Sequence, residues 1–477
     1  MAASGCEQNI KDSCNPTSRE NGKENGEVPA IQRENSLKIR ASSFGASQLR
    51  LLNVPVSAYM QLGEDIENEI VSQAGDIGDR ALSRRGSPRG LCFSMDRGVA
   101  FSAPEDFLDT HEFWPHDPVK SSTAVYPVSE TISSVTTDVT LLEKQEKRKE
   151  MSPSLEYVAC LAYLSVFAII GVLSSYLLEN VFGPSTAAVT SYNGILYLGL
   201  PANMVGSFLM GWLGVVFKGD ISRVSDQLVI GLTSGYLGSL TAFSGWILQM
   251  VDLSAHGHWV YAIIGLVIGL FLSSYSFNFG IETAKGFKYI FKKKSGSTSS
   301  ASKSNRNNLK RHLVVIVVLI LMWGGLWTAF GILVKKDFNK IGSRAQLWLA
   351  CFVGPLGVWV RWWLANLNGH GLGKSGSLRW IPFGTLIANV SAVCIMAALA
   401  TLKKAVDTRK CDMIASAIQF GFVGCLSTVP AFIAEFNAMR QSSKPWRAYA
   451  YAIITIGMSF AFATLIYSVP FWTQGYK

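Results

Sequence analysis

The stretches GYLGSLTAFSGW (residues 235–246) and GFVGCLSTVPAF (residues 421–432) align without a gap at an offset of 186 residues. Each lies inside a long apolar run, and each carries residues near its middle that suit a break in a helix: Gly238 and Thr241 in the first, Gly424, Ser427 and Pro430 in the second. A break exposes backbone carbonyls. Inside a membrane, such irregular backbone is tolerated only where protein buries it or where it lines a cavity. The same offset holds further out, pairing Gly171 with Gly357 and Asn203 with Asn389. One helix later it becomes 190, aligning Tyr261, Ala262, Ile263 and Ile264 with Tyr451, Ala452, Ile453 and Ile454. A constant offset over three helices is the signature of one unit duplicated and fused.

Apolar stretches long enough to cross a hydrocarbon core, about 20 residues each, recur from Leu155 onward. They predict nine helices, at 155–178, 191–217, 226–250, 258–281, 312–334, 345–366, 380–402, 412–438 and 446–470. Four belong to each unit and one, at 312–334, stands between them. An odd linker brings the second unit into the membrane from the opposite face, which makes the repeat inverted, with a pseudo-two-fold axis in the membrane plane. The expected fold is an all-α membrane protein: two inverted four-helix repeats (151–284 and 341–477) joined by a basic loop and a single linker transmembrane helix (285–340), with broken third helices crossing at the axis.

Composition agrees, with 49% hydrophobic residues and a mean hydropathy of +0.25. Of the 43 Lys/Arg and 33 Asp/Glu, the first 150 residues hold 17 and 23, leaving 26 and 10 for the rest. The basic residues sit in short runs between apolar stretches, as Lys292, Lys293 and Lys294 do. That is loop charge facing headgroups, and it argues against nucleic acid as a partner. The loop 282–311 is the most basic, and Lys144, Lys147, Arg148 and Lys149 precede the first helix. Both belong in the cytosol by the positive-inside tendency, so a cytosolic N-terminus is expected; the loops of the second half are balanced in charge, and the count of nine helices puts the C-terminus outside. Trp259, Trp380 and Trp446 fit an interfacial belt, and His256 and His258 fall beside an extracellular loop.

Residues 1–150 contain no apolar run of 18 residues and read as a largely disordered cytosolic tail. A cleaved leader is not indicated, because the first thirty residues lack an apolar core and carry five acidic residues. The hydroxyl-bearing stretches 83–94 and 121–140 could be phosphorylated, but Ser-rich linkers are common, the plain linker is the favoured reading, and no chemistry is assigned to them. Eight cysteines without a CxxC pair or regular spacing indicate neither a zinc site nor a disulfide framework.

The runs GSLTAFS (238–244), GTLIAN (384–389), NMVGSF (203–208) and GVWVRW (357–362) resemble the signature of the small bacterial fluoride channels, the Fluc or CrcB family. The resemblance covers roughly residues 155–470 and recurs in both halves. The nine-helix fused form resembles the eukaryotic fluoride exporters, in which one chain replaces an antiparallel dimer. It implies a fluoride-selective passive channel in the plasma membrane that exports fluoride and confers resistance to it. It also implies a single chain acting as a pseudo-dimer with the lipid bilayer around it. By the same resemblance, carbonyls of Gly238, Thr241, Gly424 and Ser427 hold one structural sodium ion, and oxygen-only ligation suits a hard cation. No organic cofactor and no enzymatic activity are implied.

Fluoride is small and strongly hydrated, so a pore must replace its water with donors without a full countercharge that would trap it. Amide N–H groups, hydroxyls and the positive edge of a phenyl ring qualify. The expected pore residues are Asn203, Asn389, Phe243, Phe432, Thr428, Thr385, Thr455 and Ser459. Arg361 is expected at a vestibule and Glu435 at the far mouth. The halves have diverged: Phe243 and Trp246 stand where the second unit has Val429 and Phe432. Arg361 matches Ser175, Glu435 matches Gln249, Thr385 matches Gly199, and Thr455 and Ser459 match Gly265 and Gly269. If each pore pairs the first aromatic position of one unit with the second of the other, Phe243 joins Phe432 in a working pore. Trp246 then joins Val429 in a degenerate one.

Plainer readings stand beside these. Membrane Asn and Ser residues commonly hydrogen-bond a neighbouring helix, Gly206, Ser207 and Gly211 are ordinary helix-contact residues, and Arg361 can snorkel or bind a carbonyl. A membrane scaffold that kept the fold and lost conduction is the rival function. A proton-coupled antiporter is disfavoured, because no pair of buried carboxylates offers a proton relay.

Overall fold

The computed structural model describes residues 153–294 other than Asn193, 308–338, 342–371 and 378–475, together with Glu67, Asn68, Ile70, Val71 and Ala74. The first repeat comprises α1 (Pro153–Phe182), α2 (Leu200–Leu209, extended by a π-helical turn Met210–Val216), α3 and α4 (Trp259–Lys294). Helix α3 is in two pieces, α3a from Asp226 to Leu240 and α3b (Phe243–Ala255). The linker α5 spans Asn308–Asp337. The second repeat comprises α6 (Ser343–Ala365), α7 (Phe383–Val406), α8 and α9, the last running from Trp446 to Gln474. Helix α8 is likewise split, into α8a from Arg409 to Leu426 and α8b (Pro430–Arg440). Among the described residues, eight helices are long and apolar enough to cross a membrane, and Leu200–Val216 is a shorter ninth. The chain is an all-α membrane protein of two inverted repeats.

The repeat extends to backbone detail. Both third helices pass through a π-helical segment, Gly231–Leu237 and Gln419–Val423, before they break. At the breaks the chain is extended: Thr241 has φ −111° and ψ 152°, Ala242 φ −137° and ψ 104°, and Ser427 φ −86° and ψ 162°. Gly171 of α1 and Gly357 of α6 play one role twice. A methyl group on Gly171 would lie 2.6 Å from the Tyr236 carbonyl oxygen, and one on Gly357 would overlap the Phe422 carbonyl oxygen, which is the matching atom of the other repeat. Only the absence of a side chain lets these helix pairs come so close.

Helix α1 packs on α3a and α6, α4 on α2 and α3b, and α9 on α7, α8b and α3b. The linker α5 lies at the periphery against α1 and α6. Its outer face is apolar, with Leu321 70% exposed, and Val267, Phe271 and Tyr275 form a similar stripe on α4. A face meeting hydrocarbon has this character, because lipid imposes no cost on exposed apolar side chains.

Two helix bounds need correction, and one short helical stretch lies within a segment expected to be largely disordered. The second helix begins at Leu200, with Pro201 in its first turn, and not at 191. The preceding segment is held as a loop by Gln249, whose Nε2 donates to the Ser191 and Tyr192 carbonyls while its Oε1 accepts from the Leu198 backbone N–H. Helix α4 runs to Lys294, well past 281. Within the expected disordered tail, Glu67, Asn68, Ile70, Val71 and Ala74 are helical. Val71 is buried in the main core cluster, and Glu67 accepts hydrogen bonds from the Ser443 N–H and hydroxyl. The rest of residues 1–150, and 295–307 of the basic loop, lie outside the described residues.

Candidate functional site

Four half-helix ends converge where α3 and α8 cross. Helices α3a and α8a direct their C-terminal carbonyls at the crossing, and α3b and α8b begin there. Helix C-termini carry partial negative charge and N-termini partial positive charge, so the centre offers a cation-favouring cluster of carbonyls beside two anion-favouring amide ends. The repeats are tied across it by the Ser244 and Ser427 hydroxyls, 3.1 Å apart, and by the Ser244 N–H donating to the Ser427 hydroxyl at 3.2 Å.

Asn389 and Asn203 each clasp the break of their own repeat. Asn389 accepts from the Thr428 N–H at 2.8 Å and returns a hydrogen bond to the Thr428 carbonyl at 3.1 Å. Asn203 does the same at Ala242, at 3.0 and 3.5 Å, and its amide nitrogen also donates to the Tyr197 hydroxyl at 2.9 Å. The plain reading of a membrane Asn as a helix–helix hydrogen-bonder therefore describes much of what both amides do. An amide nitrogen has two N–H groups, and the clasp takes one of them on Asn389, whereas Asn203 spends its nitrogen on two acceptors.

Phe243 opens α3b and Phe432 lies in the first turn of α8b, both fully buried. Their ring centroids are 5.6 Å apart with planes at 63°, an edge-to-face contact. Phe432 also lies 5.3 Å from the Tyr451 ring. Tyr451 donates its hydroxyl to Glu435 at 2.7 Å, and the other Glu435 oxygen accepts from Thr385 at 2.6 Å. Glu435 is thus fully buried among polar partners and not at a mouth. Thr455, one turn beyond Tyr451 on α9, donates to the Tyr451 carbonyl, and the next turn brings Ser459, whose buried hydroxyl has no partner among the described residues. Thr385, Thr428, Arg361 and Asn368 line a cavity of about 30 Å³, enough for one or two waters or a small ion.

The matching ground in the first repeat is filled. The Trp246 indole stacks on Tyr197 with centroids 5.9 Å apart and donates to the Gly265 carbonyl at 3.3 Å. A methyl group on Gly269 would come within 2.5 Å of the indole. Where α9 carries Thr455 and Ser459, α4 has Gly269 under the tryptophan and Gly265 against Met250.

Arg361 departs furthest from expectation. It is 7% exposed, and its guanidinium lies in the crossing as well as along the cavity wall. Nη1 donates to the carbonyls of Gly238 at 2.9 Å, Cys425 at 2.5 Å and Ser427 at 2.9 Å, and Nη2 donates to the Ser234 carbonyl. Gly238 and Ser427 are two of the four residues whose carbonyls were expected to hold sodium. Thr241 enters through its hydroxyl, which donates to Leu237 and accepts from the Val429 N–H, and the Gly424 carbonyl accepts from the Ser427 hydroxyl.

Tyr197, Tyr451 and Asn368 were not anticipated. Asn368 accepts from the Gly384 and Thr385 N–H groups and so caps α7. Polar residues at apolar helix ends are the only sequence signal for these three.

Residues 162–281 and 348–467 each match the family described as CrcB-like protein, Camphor Resistance (CrcB), at the same 186-residue offset that the sequence shows. The chain belongs to the CrcB family. Its curated CrcB relatives include the fluoride-specific ion channel FluC 1 of Desulfitobacterium hafniense (strain Y51), 35% identical over 91 residues, which are 18% of this chain and 78% of that protein. The fluoride-specific ion channel FluC of Geobacter metallireducens is 31% identical over 122 residues, 26% of this chain and 94% of that protein. One copy of the CrcB unit thus spans most of a bacterial relative, and this chain carries two. No solved structure matches the chain.

Proposed function

We propose that the chain is a fluoride-selective passive channel that lets fluoride leave the cell, with one working pore and one degenerate pore. The observation that carries this reading is the pairing of Phe243 with Phe432 beside a polar track, while Trp246 covers the equivalent ground of the other repeat. The names of the bacterial relatives support the choice of ion.

The working route enters the cavity lined by Thr385, Thr428 and Arg361, passes the Asn389 clasp and the Phe243 and Phe432 edges, and follows Thr455 and Ser459 along α9. The second Asn389 N–H, the ring edges and the Ser459 hydroxyl offer partial positive charge to a desolvated anion, the Thr385 and Thr455 hydroxyls donate to Glu435 and to the Tyr451 carbonyl at rest, and the full charge of Arg361 is spread over carbonyls. Such sites bind tightly enough to admit fluoride and weakly enough to release it. Export needs no coupled energy source: fluoride that enters as hydrofluoric acid dissociates in the cytoplasm, and membrane potential drives the anion out. Export from the cell places the protein in the plasma membrane, and the basic loops put its N-terminus in the cytosol by the positive-inside tendency. The single chain supplies both halves of the pseudo-dimer.

The test is fluoride efflux from proteoliposomes loaded with potassium fluoride, started with valinomycin and read with a fluoride electrode. Rapid efflux of fluoride but not chloride, lost in Asn389→Asp, is the expected result. No efflux from folded protein would favour the scaffold reading.

A further inference from the structure

We propose that the guanidinium of Arg361 is the structural cation of this chain, filling from a side chain the carbonyl cage that would otherwise take a sodium ion. Four backbone carbonyls converge on one guanidinium, two from α3a (Ser234 and Gly238) and two from the end of α8a and its break (Cys425 and Ser427). The breaks divert the N–H groups that the Gly238 and Cys425 carbonyls would meet in an unbroken helix: Ala242 donates to Asn203 and Val429 to the Thr241 hydroxyl. Among the described residues Arg361 forms no ion pair with a carboxylate, so its charge is balanced by carbonyl dipoles from two helix C-termini, as a bound metal cation would be.

The fit to sodium fails on this geometry. An ion ligated by the Gly238 and Ser427 carbonyls would lie between them, in the space Nη1 holds at 2.9 Å from both. Two unit charges in contact at low dielectric repel strongly. Gly238 is fitted to the guanidinium itself, because any side chain there would overlap both nitrogens of its fork. The arrangement is also one-sided: the position matching Arg361 in the first repeat is Ser175, which brings no charge. A planar fork with several N–H groups in fixed directions can join two helices in a way a single ammonium cannot.

The test reads metal content and stability, so it does not depend on transport. Full-length protein is purified in sodium chloride, exchanged into N-methyl-D-glucamine chloride, analysed for sodium, and melted in both salts. The wild-type chain is expected to hold no stoichiometric sodium and to melt at the same temperature in either salt. Arg361→Ser, which restores the residue found in the first repeat, is expected to melt lower in N-methyl-D-glucamine and to recover on addition of sodium. One bound sodium per wild-type chain, a wild-type melting temperature raised by sodium, or an Arg361→Ser variant indifferent to sodium would each overturn the proposal. If the variant does not fold, the two wild-type measurements decide alone.

Discussion

The rings of Phe243 and Phe432 come from different repeats, each from the first turn of a half-helix, and meet edge to face at 5.6 Å. Positive ring edges and two helix N-termini are therefore gathered at one place, an arrangement that favours an anion without trapping it. Removing either ring should cost fluoride efflux at least about tenfold, equivalent to ~1.4 kcal/mol in the barrier. Trp246→Ala, on the covered side, should leave efflux within about twofold of wild type. Equal losses in Phe243→Ala and Trp246→Ala would contradict the division into a working and a degenerate pore.

The two asparagines predict unequal outcomes from equal substitutions. An aspartate at 389 keeps the acceptor for the Thr428 N–H but cannot donate to the Thr428 carbonyl, and it places a negative charge in an anion path. Asn389→Asp should abolish efflux. Asn203→Asp loses its donation to Tyr197 and should act mainly on stability, by about 1–3 kcal/mol for a buried group left unpaired. Thermal melts run beside efflux separate the two effects; a conduction loss in Asn203→Asp matching that of Asn389→Asp would refute the distinction.

The hydroxyls of Thr455 and Ser459 have no counterpart on α4, where Gly269 lies under the Trp246 indole and Gly265 faces Met250. Replacing both by Val and Ala should lower efflux several-fold and leave the fold intact, because Thr455 bonds only within its own helix and Ser459 has no partner to lose among the described residues. Unchanged efflux in this double variant would remove α9 from the route.

Gly171 and Gly357 test the repeat as a piece of mechanics. A methyl group at either meets a carbonyl of the facing third helix, and overpacking of this kind costs about 1–3 kcal/mol. Gly171→Ala and Gly357→Ala should both lower the melting midpoint of the detergent-solubilised chain, Gly357→Ala by more, since its overlap is the closer one.

The architecture was legible because it rests on lengths and spacings. Nine apolar runs, a constant offset and glycines near the middle of two helices lead to the observed helices and to both breaks. Legibility failed where one distant side chain decided the outcome. Residues 195–198 are apolar enough to read as helix, yet Gln249, some fifty residues away, ties that segment into a loop. Glu435 reads as a mouth residue from its place near a helix end, and only Thr385 and Tyr451, from two other helices, draw it into a buried network. Arg361 stands out in the sequence as a charge within a span, but nothing there shows which carbonyls two separate breaks turn towards it.

A side chain that lies on a two-fold axis shuts out its own symmetry mate. In an assembly of identical subunits any residue at such a place is present twice, and the centre must be filled by something even in number or supplied from outside. Here α5 makes both halves part of one polypeptide, so position 361 and position 175 are inherited as separate characters. The peripheral linker helix is thus what permits an odd-numbered solution at the heart of a pseudo-symmetric protein.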